Sequence, residues 1–101
     1  MGMKSLELKI SNDSVLYTSH STTSSTERAD LKRVKSSEIK TAMERIKSKG
    51  KYFNNNPDRY YLLEGCVLRY VDNNGNIQIF YETKENLKSL INFLGLPYPN
   101  F

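Results

Sequence analysis

The chain has no tryptophan, one cysteine and one histidine among its 101 residues. A single cysteine, Cys66, rules out an internal disulfide and a cysteine-based zinc site, which favours a reducing compartment and a cytoplasmic location. Cys66 itself, between Gly65 and Val67, reads as a small buried hydrophobe. A single histidine, His20, offers neither a metal ligand set nor a partner for acid–base chemistry. Long apolar runs are missing too. Nothing approaches the roughly 20 apolar residues of a membrane span, and the N-terminus carries no signal-like run, so no membrane partner is expected. Glycine and proline number five and three, and no glycine-rich phosphate loop can be drawn. The carboxylates Asp13, Glu64 and Glu82 are not brought together by local spacing. No cofactor, no metal and no catalytic residue is therefore expected, and the chain reads as a non-enzyme.

What is present suits one packed domain over residues 3–101, with Met1 and Gly2 read as cloning residues. Hydrophobic residues make up 38% and charged residues 26%, enough for a core and too apolar for disorder. Leu6, Leu8 and Ile10 alternate with Ser5, Glu7 and Lys9, the period of a half-buried strand, and "VLYTSH" after Asn12-Asp13 completes a hairpin.

From Thr18 to Thr26 eight of nine residues bear hydroxyls. Such a tract could cradle an anion at a helix start, but with no glycine in it the simpler reading is a loop and cap. Ser24 and Glu27 have capping-box spacing, which predicts helix from near Ser25. Ile39, Ala42, Met43 and Ile46 form one apolar stripe ending at Gly50, so residues 25–49 read as one bent helix or two joined at Ser36-Ser37.

"YFNNNPDR" reads as a loop. "YYLLEGCVLRYVD" and "IQIFYET" read as a hairpin turning at "DNNG". Thr83 caps a last helix carrying Leu87, Leu90, Ile91 and Leu94, stopped by Gly95, and "PYPNF" is expected to dock back on the domain through Tyr98 and Phe101. The expected fold is a small α+β domain in the order ββα then ββα: two β-hairpins, one long basic helix and one short C-terminal helix.

Charge is the strongest functional signal. Arg28 to Lys51 holds nine basic and three acidic residues, a charge of +6 in a chain whose net charge is +4. On a continuous helix Arg33, Lys40 and Lys47 lie seven apart, opposite Ile39, Ala42 and Ile46, drifting only about 20° per step. Lys51 extends this ridge at the helix exit. That asymmetry is the footprint of phosphate binding, although a solvated lysine-rich helix face looks the same.

"RADLKRVKSSEIKTAMERIKSKG" resembles the helix-turn-helix of winged-helix DNA-binding proteins. Ala29, Val34, Ile39 and Ala42 match the positions that pack its two helices, and Met43, Ile46 and Gly50 match the end of its recognition helix. Residues 60 to 83 would be the wing. The resemblance covers about a quarter of the chain, and it implies a winged-helix-like alternative with an N-terminal hairpin, binding DNA in preference to RNA.

The leading expectation is a nucleic-acid-binding regulator. Arg33, Lys40, Lys47 and Lys51 would contact phosphates, Thr41 and Arg45 would read base edges, and Asn73 and Asn74 would touch a neighbouring groove or backbone. The rival is a protein-interaction module, a small inhibitor or assembly factor. If Gly75 is left-handed in a three-residue loop, Leu68, Tyr70 and Phe80 share an apolar face that would bind a partner or a second copy in a homodimer.

Overall fold

The computed structural model describes residues 4–20, 27–71 and 76–100. Along the chain run β1 (Lys4–Ile10), β2 (Ser14–His20), β3 (Glu27–Arg33), α1 (Ser36–Lys49), β4 (Lys51–Asn55), β5 (Asp58–Leu63), β6 (Cys66–Tyr70), β7 (Ile77–Tyr81) and α2 (Lys84–Leu94). All seven strands join one sheet in the order β3-β2-β1-β7-β6-β5-β4, and every neighbouring pair is antiparallel. The sheet is thus two meanders, β1–β3 and β4–β7, sewn together where β1 pairs with β7. Between them α1 carries the chain from one edge of the sheet to the other.

This overturns the ββα then ββα order, and with it the winged-helix alternative. The segment expected to open the long helix is strand β3, paired with β2 from Ser14↔Arg33 to His20↔Glu27. No helix-turn-helix can form there. Ala29 and Leu31 are two apart among charged residues, a faint strand period, and seven paired positions outweigh weak local helix preference. The supposed asparagine loop contains a second unexpected strand. β4 pairs with β5 through Tyr52↔Tyr61 and Phe53↔Tyr60, leaving only Asn56 and Pro57 as the turn, and these aromatic cross-strand pairs supply what asparagine lacks in strand propensity. "YYLLEGCVLRYVD" is two strands, broken at Glu64 and Gly65, which both have positive φ.

The core lies between one face of the sheet and both helices. Leu6, Leu8, Val15, Tyr17, Cys66, Leu68, Ile77, Ile79 and Tyr81 meet Ile39, Ala42 and Ile46 of α1 and Leu87, Leu90, Ile91 and Leu94 of α2. Burying each large aliphatic side chain is worth about 1.5–3 kcal/mol. At the β3 edge the C-terminal segment covers the same face: the Tyr17 hydroxyl donates to the Pro97 carbonyl at 2.7 Å, and the Asn100 N–H donates to Asp30 at 2.8 Å. Tyr98 packs half-buried against the core, and Phe101 lies outside the described residues.

α2 has the ends its sequence demands. The Thr83 hydroxyl accepts from the Asn86 N–H, Gly95 takes φ 77, and the Leu96 N–H closes back on the Ile91 carbonyl, the hydrogen-bond pattern of a glycine-stopped helix. Gly50 ends α1 for a different reason. Its φ of −74 suits any residue, but a Cβ there would sit 2.5 Å from the Ile46 carbonyl oxygen and 3.2 Å from Tyr61. Gly50→Ala should therefore destabilise the fold by about 1–3 kcal/mol through overpacking. A thermal melt should fall by several degrees, and an unchanged midpoint would contradict this packing.

Candidate nucleic-acid interface

With both helices on one face, the opposite face of the sheet lies open among the described residues. Strand alternation sets what it displays. In one row stand Gln78, Arg69, Tyr60 and Phe53, on β7, β6, β5 and β4 in turn; in the next stand Phe80, Val67, Leu62 and Lys51. The Phe53 and Tyr60 rings stack, with centroids 5.1 Å apart and planes 7° from parallel. Arg69 lies beside them in a polar network. It donates to Asp58 at 3.2 Å and to Gln78 at 3.4 Å, and the Tyr60 hydroxyl makes a long contact, 3.4 Å, to the other Asp58 oxygen. The Arg69 Nε is buried without a partner. Phe53 and Leu62 are 39% and 42% exposed, so apolar surface reaches solvent at the β4 side of this face.

The basic residues divide between helix and strand. Lys40 and Lys47 stand exposed on α1, with Lys49 in its last turn, and Lys51 begins β4. Among the described residues these four lysines enter no ion pair. Arg33 is not on their helix: it ends β3 and pairs with Asp13 at 2.9 Å. The ridge therefore loses its first member because residues 27–33 are a strand.

Thr41 and Arg45 are both exposed on α1, and each makes a hydrogen bond within the helical layer. The Thr41 hydroxyl donates to the Ser37 carbonyl one turn back, and Arg45 donates to the Phe93 carbonyl at 2.9 Å. Phe93 is in the last turn of α2, which has no basic residue of its own there, so Arg45 supplies the positive charge that a helix C-terminus favours. Asn73, Asn74 and the hydroxyl residues 21–26 lie outside the described residues. The chain enters β3 directly after the hydroxyl tract, so the tract launches no helix.

Leu68, Tyr70 and Phe80 do not share a face. β6 and β7 pair as Leu68↔Ile79 and Tyr70↔Ile77, and the Val71 N–H reaches the Asn76 carbonyl at 3.0 Å. That register is one residue away from a three-residue loop, and such a slip moves a whole set of side chains across the sheet. Leu68 is fully buried and Tyr70 packs on the core, while Phe80 faces the other way beside Val67.

Burial raises the pKa of several groups, among them Cys66 and Tyr70. It pushes the Cys66 thiol up to about 11, with Glu64 adding to the effect, and the Tyr70 hydroxyl up to about 12, with Tyr61 adding. Below the thiol's ordinary value of 9.0 both folded and unfolded chains keep the proton, so stability is intact. As pH rises toward 11 the unfolded chain ionises first and stability falls. Thiol alkylation near pH 8 should be slow in buffer and fast in urea; equal rates would mean that Cys66 is not buried.

Phe53, Tyr60, Leu62, Val67 and Arg69 are not visible as a group in the sequence. The signal that could have found them is the symmetry of "YFNNNPDRYY" about Asn56-Pro57, which places Phe53 opposite Tyr60. No protein-family model, curated protein or solved structure matches the chain. Among the described residues no cluster of His, Cys, Asp or Glu could hold a metal, and no helix is long and apolar enough to cross a membrane.

Proposed function

We propose that this chain is a non-enzymatic nucleic-acid-binding protein that holds the phosphate backbone through the outer side of α1 and the start of β4. The observation carrying this reading is the run of exposed lysines Lys40, Lys47, Lys49 and Lys51, free of ion pairs among the described residues. An ammonium already held by a carboxylate gains less from a phosphate, so unpaired lysines in sequence are the ones a polyanion rewards. Thr41 and Arg45, exposed on the same helix, would have to give up their hydrogen bonds to Ser37 and Phe93 to read a base edge. The preference for DNA over RNA rested on the winged-helix likeness and lapses with it. Fluorescence anisotropy with labelled duplex and single strands tests the reading: binding at low salt is expected, and its absence for every strand would refute it.

A further inference from the structure

We infer that the β4 edge of the open sheet face is a stacking site for an unpaired base, which makes single-stranded nucleic acid the ligand; this rests on the nucleic-acid reading above. Tyr60 covers one face of the Phe53 ring at 5.1 Å. Among the described residues β4 is the last strand of the sheet, so no described strand stands against the other face of that ring. A base placed there continues the Tyr60–Phe53 stack outward, and any of the four bases can do so because each presents a flat π-surface. In a duplex those surfaces are already stacked, which restricts the site to unpaired nucleotides.

Charge complements the stack. Lys51 lies on the same face of β4 as Phe53, two residues and about 7 Å along the strand. Lys49 stands just before it in the last turn of α1. A phosphate flanking a stacked base would meet the Lys51 ammonium, while Lys49 belongs to the helical layer. On the same face, the Asp58 carboxylate is already held by Arg69, so its repulsion is offset. A single strand uses ring and ammonium together, the ring for a base and Lys51 for the phosphate beside it.

The chain has no tryptophan, so Phe53→Trp installs a unique reporter at the stacking position. The probes are a labelled oligothymidylate of roughly 12 nucleotides, within the span such sites cover, and an abasic phosphodiester strand of equal length. Wild type should bind oligothymidylate about tenfold tighter than the abasic strand. Phe53→Ala, checked for folding by circular dichroism, should bind the two alike, and the indole emission of the Phe53→Trp variant should be quenched by oligothymidylate alone. Equal wild-type affinities, or a preference that survives Phe53→Ala, would overturn the stacking site while leaving phosphate binding standing. Binding of neither strand would remove both readings. A dimer seen by light scattering and dissolved by Phe53→Ala would assign the edge to a second copy and overturn the proposal.

Discussion

Replacing Tyr17 by alanine should cost about 3–5 kcal/mol, the range for deleting a fully buried aromatic ring. The whole fold has only about 5–15 kcal/mol to lose. Tyr17 is 0% exposed, and its hydroxyl ties β2 to Pro97, 80 positions later in the chain. Tyr17→Phe keeps the ring and leaves the Pro97 carbonyl without its donor, which should cost only about 0.5–1.5 kcal/mol. Urea unfolding separates the two variants. A loss below about 1 kcal/mol for Tyr17→Ala would place β2 outside the core and contradict the β3-β2-β1 half of the sheet.

The second large effect concerns binding. Lys40→Glu with Lys47→Glu takes the formal net charge from +4 to zero and turns two attractive contacts into repulsive ones. Both side chains are exposed on α1, away from its buried Ile39, Ala42 and Ile46, so the fold should tolerate the change to within about 0.5 kcal/mol. Affinity for a single strand at low salt should fall on the order of 100-fold. The matched reversal Glu44→Lys, at another exposed position of α1, should strengthen binding. If both variants bind as wild type does, α1 does not face the ligand.

Local signals were legible and distant ones were not. Leu6, Leu8 and Ile10 announce β1 because polar residues alternate with them, and Thr83, Leu87, Leu90, Ile91 and Gly95 specify α2 within a short window. β3 and β4 exist because of partners: Ala29 and Leu31 would not hold a strand alone, and Tyr52 and Phe53 are set by Tyr61 and Tyr60. The β1–β7 pairing joins Leu8 to Ile77 and Lys4 to Tyr81, and no short window contains both partners. Lys40 and Lys47 stay exposed on α1, while Lys51 begins β4 on the opposite face of the sheet. Arg33 did not keep its place, since its position on the ridge required a continuous helix. Leu68, Tyr70 and Phe80 show how steep register dependence is: one residue at the β6–β7 connection separates a shared apolar face from two side chains turned to the core and one on the open side.

The dependence of single-strand affinity on salt tests the central claim most directly. If about four lysines neutralise phosphates, log affinity should fall against log salt concentration with a slope of about −2.8, from about −0.7 for each phosphate on a single strand. A slope shallower than about −1, or no binding at low salt, would contradict phosphate recognition by Lys40, Lys47, Lys49 and Lys51.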